Sequence, residues 1–206
     1  MAAQAPGRVI LLNGPSSSGK TSIGQAMLPL LPDPWFLVPV DSISGMRSTK
    51  HNRALGDAKT QEMLRRTRRG YHRVIAALAS AGNDVIMDYP LSEPWRLADL
   101  LDVLDGYDVT LVDVRCSAEE LDRRERLRCD RPRGLAASQT GVYAHRDNDL
   151  VVDTTRRTAA DCAREIVDRF ATISRPKAFA RLRRDRPVAA VRTLDADQHN
   201  ARRSQT

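Results

Sequence analysis

The residues from Gly14 to Ser22 have the composition and spacing of a loop that holds phosphate groups. In order they are Gly14, Pro15, Ser16, Ser17, Ser18, Gly19, Lys20, Thr21 and Ser22. Glycine and small serine residues let successive backbone N–H groups point at phosphate oxygens, and a lysine at this position adds a positive charge that reaches the terminal phosphates. The pattern therefore predicts that all nine residues contribute to a nucleoside triphosphate site.

Three further oxygen-bearing side chains complete the chemistry expected next to a triphosphate. The Thr21 hydroxyl is expected to coordinate Mg²⁺, which accompanies such a nucleotide. Asp41 and Asp88 follow the second and third apolar runs of the chain, where ligands bind at the carboxyl edge of a parallel sheet. We predict that Asp41 accepts the proton of an acceptor hydroxyl and that Asp88 is a second group at the magnesium. A helix cap or a turn is the alternative role of each aspartate.

Six arginines lie between residues 123 and 133. In a helix, Arg124, Arg128 and Arg131 would share one face. On a mobile segment above the phosphates, these side chains would neutralise the charge that develops during phosphoryl transfer. We therefore predict that they are catalytic together with Lys20. The alternative is a solvated basic helix whose arginines pair with the nearby acidic residues, Glu119, Glu120, Asp122 and Glu125.

The elements that must position these residues alternate along the chain. Short apolar runs predict strands at residues 8–13, 35–40, 85–87, 109–114 and 150–152. Helices are expected from 20 to about 30, over 57–81, 93–104 and 117–130, and from Thr155 or Thr158 through 170, with a loop or short irregular helices over 42–56. This order predicts an α/β protein with three layers: a five-stranded parallel sheet, helices on both of its faces, and a short lid near residues 120–140.

The positive charge is concentrated at the C-terminal end. The net charge is +7, and the segment from Arg175 to Thr206 holds nine Lys or Arg residues against three Asp. We expect one catalytic domain over residues 1–172 and a basic, solvated and partly disordered tail over 173–206, with nucleic-acid or partner binding through the tail as the alternative. Without a long apolar stretch or a signal-peptide pattern, the chain is expected to be cytoplasmic and not to enter a membrane. The oligomeric state stays open.

Several blocks of the sequence carry a family resemblance that covers residues from about 8 to 172. They are Leu12-Asn13-Gly14 with Ser16-Ser17 and Gly19-Lys20, Pro32-Asp33-Pro34-Trp35, Val40-Asp41-Ser42, Val114-Arg115-Cys116, the lid residues Arg124, Glu125, Arg128, Asp130, Arg131, Gly134, Ala136, Ala137 and Gln139, and finally His145 and Val152-Asp153-Thr154-Thr155. In these blocks the chain resembles the chloramphenicol 3-O-phosphotransferases, small kinases with a phosphate-binding loop (P-loop). After the third strand the family pattern has paired aspartates, whereas this chain has Asp88-Tyr89.

The resemblance implies that ATP and Mg²⁺ are the cofactors and that Asp41 is the base. It also implies that the acceptor is a small hydroxylated molecule, with chloramphenicol or a related antibiotic as the family's substrate, for resistance or self-protection. His145 could contact either ligand, although a structural role is the alternative. Two other functions stay open: a different small-molecule or nucleotide kinase on the same fold, and a nucleotide-regulated module that binds RNA or a partner protein.

Overall fold

The computed structural model describes residues 5–48, 55–127 and 134–186. The strands are β1 (Val9–Asn13), β2 (Trp35–Pro39), β3 (Asp84–Asp88), β4 (Val109–Arg115) and β5 (Leu150–Asp153). The helices are α1 (Lys20–Met27), α2 (Val40–Gly45), α3 (Asp57–Ser80), α4 (Pro94–Val103), α5 (Ala118–Arg126), α6 (Leu135–Ser138), α7 (Ala159–Phe170) and α8 (Ala178–Arg184). The strand order is β2-β3-β1-β4-β5, and every neighbouring pair is parallel. The predicted five-stranded parallel sheet is confirmed.

Side chains of the central strand alternate between two hydrophobic cores. Val9 and Leu11 pack with residues of α3, α4 and α8, whereas Ile10 and Leu12 pack on the opposite face with residues of α1 and α7. All four side chains are fully buried, and burial of such a side chain stabilises the fold by about 1.5–3 kcal/mol. The alternation produces the predicted three layers, because a strand can bury every residue only when helices cover both faces.

The carboxyl ends of β1, β2 and β3 meet at one edge of the sheet. Asp88, the last residue of β3, lies opposite Leu12 of β1 and Pro39 of β2. From α3, the Tyr71 hydroxyl donates a hydrogen bond to the Val38 carbonyl oxygen at 2.6 Å and is 3.4 Å from that of Asp88. These contacts hold the ends of β2 and β3 together, where the catalytic side chains were expected.

Two boundaries differ from expectation next to that edge. Val40 was predicted to end the second strand but begins α2 instead, so Asp41 lies in the first turn of a helix. The preceding Pro39 has no N–H group to continue the ladder, which ends the strand there. In the lid, α5 ends at Arg126, and the remainder of the helix expected up to residue 130 lies outside the described residues.

The predicted tail from residue 173 is wrong for its first part. Residues Ala178–Arg184 form α8, in which Phe179 is 2% exposed. Lys177, just before the helix, donates a 2.9 Å hydrogen bond to the Thr110 hydroxyl in β4. The many arginines of this segment are typical of a solvated tail, so the sequence did not indicate a packed helix. In the structure several of them bind carboxylates or carbonyl groups of the domain. Arg183, for example, donates to the Leu101 carbonyl oxygen at 2.7 Å. The rest of the predicted tail, 187–206, lies outside the described residues.

Candidate active site

The loop from Gly14 to Thr21 connects β1 to α1 and contains a backbone that only certain residues adopt easily. Ser17 has φ 62° and Gly19 has φ 94°, both in the left-handed region that disfavours most side chains. Gly14 has no space for a side chain, since a Cβ atom there would lie 2.4 Å from the Val114 carbonyl oxygen. The predicted P-loop is thus present and packs tightly against β4.

Most of the predicted nucleotide-binding residues face a single cavity of about 650 Å³. Those that line it are Ser16, Ser17, Gly19, Lys20, Thr21 and Ser22. Gly14, Pro15 and Ser18 are not among the lining residues. Ser18 is fully buried, and its carbonyl oxygen accepts a 2.8 Å hydrogen bond from the Thr154 hydroxyl. Gly14 and Ser18 therefore pack the loop against the rest of the domain and do not face the cavity.

The lysine, the threonine and one of the two aspartates meet beside the loop. The Thr21 hydroxyl donates to Asp88 Oδ2 at 2.5 Å. Lys20 Nζ lies 3.9 Å from Asp88 Oδ1 and donates to the Pro15 carbonyl oxygen at 2.7 Å. Lys20 is 7% exposed and Asp88 6%. A hydroxyl and a carboxylate are the oxygen ligands that Mg²⁺ prefers, so these residues fit the predicted metal.

Asp41 lies in the same cavity, although it is solvent-exposed. The cavity has two ends. One end, which we call the lid end, is lined by Arg124, Leu127, Leu135, Arg157, Thr158 and Ala159. The other, which we call the acceptor end, is lined by Val40, Asp41, Ser44, Arg68, Tyr89, Pro90 and Arg96. The lid-end residues belong to segments that follow β4 and β5, and the acceptor-end residues to segments that follow β2 and β3, on the two sides of β1 in the sheet.

Arg124 is the lid arginine that the structure brings to the P-loop. Its guanidinium group donates to the Thr154 carbonyl oxygen at 2.6 Å, to the Thr154 hydroxyl at 3.1 Å and to the Ser17 carbonyl oxygen at 3.3 Å. Arg123, the preceding residue, binds only Glu120 in the contacts described, and its side chain is 62% exposed. Arg128 and Arg131, predicted to act beside Arg124, lie outside the described residues.

Two residues that sequence reasoning left out of the site organise the lid. Apart from the family resemblance, Glu125 was interpreted as an ion-pair partner of the arginines, but it is 6% exposed. Its carboxylate accepts hydrogen bonds from the backbone N–H groups of Gly134 at 2.9 Å and Ala136 at 2.8 Å. Gln139 Oε1 accepts from the Ser16 N–H at 2.6 Å. Only the family resemblance pointed to these two positions, because the Glu125 contacts span 9 and 11 residues and the Gln139 contact spans 123, beyond the reach of a helical pattern.

His145 does not line the cavity, and its contacts are with residues of the surrounding domain. Its Nε2 is 3.3 Å from Asp113 Oδ1, and Nδ1 is 2.5 Å from the Asp147 carbonyl oxygen. Burial lowers the pKa of His145, but the hydrogen bond and the charge of Asp113 outweigh burial and raise it above its ordinary value. Asp113 also accepts from Asn13 Nδ2 at 2.8 Å. His145 therefore stabilises the end of β1, from which the P-loop begins.

Solved structures with the same architecture are kinases of small molecules. An APS kinase from Mycobacterium tuberculosis, in complex with AMPPNP and APS, is 19% identical, covers 81% of this chain and 98% of its own, and has a TM-score of 0.56. A shikimate kinase from Acinetobacter baumannii, in complex with shikimate, is 15% identical. The match covers 82% of this chain and 95% of the kinase, with a TM-score of 0.57. A gluconokinase from Sinorhizobium meliloti is 19% identical over 88% and 96%, with a TM-score of 0.55. These likenesses show the P-loop kinase fold.

Sequence comparison identifies the family within that class. Residues 7–171 match the model described as chloramphenicol phosphotransferase-like protein. Two strains of Mycobacterium tuberculosis have a relative, provisionally named an O-phosphotransferase, that is 30% identical over 205 residues, covering 89% of this chain and 91% of the relative. The chain belongs to the chloramphenicol phosphotransferase-like family, and it is an enzyme of the small-molecule kinase class. None of the helices within the described ranges is long and apolar enough to cross a membrane.

Proposed function

We propose that this enzyme transfers the γ-phosphate of ATP to a hydroxyl group of a small molecule. The observation that carries the proposal is the meeting of Lys20, Thr21 and Asp88 at the P-loop, in a cavity that also contains Asp41. A nucleotide-binding loop alone is compatible with many reactions. A carboxylate beyond the phosphate site, on the side away from the lid, is what an O-phosphotransferase needs in addition.

The residues of the loop fit a triphosphate with its metal ion. The loop packs tightly against β4 at Gly14, and Ser17 and Gly19 have the left-handed backbone that is typical of loops whose N–H groups bind phosphate. Thr21 and Asp88 would hold Mg²⁺, and Lys20 would contact the β and γ phosphates. When bound, ATP with Mg²⁺ supplies the phosphoryl group and neutralises part of the charge on its oxygens.

In the proposed reaction, Asp41 accepts the proton of the acceptor hydroxyl. A bond forms between that oxygen and the γ-phosphorus, while the bond from the γ-phosphorus to the bridging oxygen breaks and ADP leaves. Lys20 and Arg124 stabilise the negative charge of the transferred group. Arg128 and Arg131 keep their proposed part in this step, on a segment that lies outside the described residues.

The acceptor that the family membership supports is chloramphenicol or a related antibiotic, which would make the enzyme a resistance or self-protection factor. A different kinase substrate on the same fold is the second candidate, and the acceptor end described below favours it. The described part of the basic C-terminal segment gives less support to an RNA-binding module. Its residues Arg181 and Arg186 are each bound to a carboxylate of the domain, Asp147 and Asp102 respectively.

Mass spectrometry of candidate acceptors incubated with ATP and Mg²⁺ tests the proposal through the addition of one phosphate. Replacing Asp41 with asparagine should lower kcat by about 10²- to 10⁴-fold and leave AMPPNP affinity unchanged. Asp57→Asn is the matched control, since Asp57 is also exposed in the first turn of a helix. ATP hydrolysis without a phosphorylated product from any acceptor would refute the transfer, and near-normal turnover in Asp41→Asn would remove Asp41 as the base.

A further inference from the structure

The acceptor end of the cavity contains polar groups that are buried without a partner. Arg96 of α4 is 4% exposed, and Tyr89, which follows β3, is fully buried. Within the described parts of the chain, neither Arg96 Nε nor the Tyr89 hydroxyl has a hydrogen-bond partner. Burial raises the pKa of Tyr89, so its hydroxyl stays protonated and can donate. Unpaired buried donors are costly, and a ligand with acceptor oxygens would satisfy them.

A second guanidinium group reaches the same end from a different helix. Arg68 of α3 lines the same cavity as Arg96 of α4. Burial lowers the pKa of Arg68, and the positive charges of Arg96 and Arg47 lower it further. Arg68 is therefore a partly buried cation that has further positive charge close to it. A ligand that carries negative charge would stabilise this cation.

Nearby carboxylates compensate only part of this charge. Glu93 accepts a hydrogen bond from Arg96 and lies 3.8 Å from Arg68, so one carboxylate serves two guanidinium groups. The carboxylate of Asp99, also on α4, is bound to His72 and Arg73. The two guanidinium groups at this wall therefore share one ion-pair carboxylate among the described contacts, that of Glu93.

We infer that the acceptor carries an oxyanion, a carboxylate or a phosphate group, which binds between Arg68 and Arg96 with the Tyr89 hydroxyl as a further donor. This inference rests on the proposed function, because it places the acceptor hydroxyl at Asp41 and its anionic group at the far wall of the acceptor end. Guanidinium groups favour such ligands because their planar donors match the two oxygens of a carboxylate or phosphate. A neutral acceptor would offer these donors only uncharged oxygens, which form weaker hydrogen bonds with guanidinium groups.

Direct binding of small anions tests the site independently of turnover. The protein is saturated with AMPPNP and Mg²⁺ to occupy the P-loop and is titrated with inorganic phosphate or with acetate. Trp95, whose ring is 5.9 Å from the Arg96 guanidinium, provides the fluorescence signal in a Trp35→Phe background. We expect a saturable change in Trp95 fluorescence with at least one of the two anions. The anion that binds more tightly indicates whether the acceptor carries a phosphate or a carboxylate. The absence of saturable binding by both anions would overturn the inference.

Variants of Arg68 assign the signal to this site. Arg68→Gln should weaken anion binding by about 10- to 100-fold, and Arg68→Lys should restore part of it, while circular dichroism and AMPPNP binding confirm that the variants fold. Arg66→Gln is the matched control because Arg66 is an exposed arginine of the same helix. Equal anion affinity in Arg68→Gln and wild type would place the anion elsewhere and contradict the inference.

A turnover experiment separates this inference from the proposed function. The acceptors are shikimate, methyl shikimate, gluconate, glucose and chloramphenicol, so that acids are compared with neutral relatives. We expect the enzyme to prefer the acids, and Arg68→Gln to raise the acceptor KM without changing the KM for ATP. Efficient phosphorylation of a neutral acceptor that is insensitive to Arg68→Gln would refute the anionic acceptor but retain the kinase. Saturable anion binding at Arg68, together with ATP hydrolysis that yields no phosphorylated product from any acceptor, would refute the proposed transfer and retain the anion site.

Discussion

The Thr21 hydroxyl donates a 2.5 Å hydrogen bond to Oδ2 of Asp88, which joins the first turn of α1 to the end of β3. The two residues are 67 positions apart in the sequence. They meet because β1 and β3 are neighbours in the sheet, with Leu12 opposite Asp88. The P-loop then carries the chain from β1 over this edge to Thr21. Because β3 lies beside β1, the Thr21 hydroxyl and the Asp88 carboxylate meet where a metal ion would bind the nucleotide.

Replacement of either member of this pair should weaken the response to magnesium. Thr21→Ala and Asp88→Asn are each expected to raise the Mg²⁺ concentration for half-maximal activity by about 10- to 100-fold. The first removes the proposed hydroxyl ligand, and the second removes the negative charge that would attract the metal ion. Thr21→Ser keeps the hydroxyl and should stay near wild type. Activity measured against Mg²⁺ concentration checks this, and an unchanged Mg²⁺ dependence in Asp88→Asn would contradict the role of Asp88.

Arg124 and Arg123 form a matched pair for testing the lid. Both bind Glu120, but only Arg124 also reaches Ser17 and Thr154. Arg124→Ala should lower kcat/KM for ATP by about 10²-fold or more, because it removes a charge next to the phosphates. Arg123→Ala also removes one positive charge, but at an exposed position, and should change kcat/KM for ATP by less than about threefold. Similar losses in both variants would show that overall charge matters and position does not.

Gly14 is expected to tolerate no side chain. The Cβ atom in Gly14→Ala would clash with the Val114 carbonyl oxygen at 2.4 Å and with the Ser18 hydroxyl at 2.8 Å. The loop must therefore move, which we expect to cost about 1–3 kcal/mol of stability and to weaken nucleotide binding. Gly70→Ala, in α3, is the control. A Cβ at Gly70 meets nothing within 4 Å, so this variant should be slightly more stable, by about 0.5–1 kcal/mol. Thermal unfolding with and without AMPPNP measures both effects.

The pH dependence of stability should reveal the charge of His145. Its pKa in the folded state is above the ordinary value of 6.5, so folding favours the protonated ring. The resulting stabilisation is fully present below about pH 6.5 and is lost as the pH rises through the folded-state pKa. The melting temperature of wild type relative to His145→Gln should therefore be highest below pH 6.5 and decrease above it. Asp113→Asn should flatten the same slope, and a wild-type advantage that grows with pH would contradict this assignment.

The sequence was sufficient to predict those features that depend on residues close together in the chain. The P-loop, the alternation of strands and helices, and two helix caps follow from residues that lie within a few positions of one another. Ser117 accepts from the Glu120 N–H at 3.3 Å, and Thr158 accepts from the Asp161 N–H at 3.1 Å. The first cap begins the helix expected from residue 117, and the second shows that the last helix begins after Thr158 and not after Thr155. Such contacts are readable because backbone geometry alone brings the two residues together.

The C-terminal helix and the lid contacts could not be read in the same way. Charged residues dominate α8, so its buried Phe179 was hidden in a basic stretch. Its arginines bind partners about 30 to 90 positions away, such as Asp147 and Leu101. The Gln139 contact with the P-loop spans 123 positions. No local pattern predicts a side chain that meets its partner only after the sheet has formed.

What the sequence determined by itself was the nucleotide end of the enzyme, because the P-loop is a continuous segment whose backbone and side chains act together. It also placed Asp41 and Asp88 at one edge of the sheet, since parallel strands end at the same edge. The acceptor end was decided by tertiary structure alone. Arg68 and Arg96 belong to different helices, and only the packing of α3 and α4 around the end of β3 directs both guanidinium groups into one cavity.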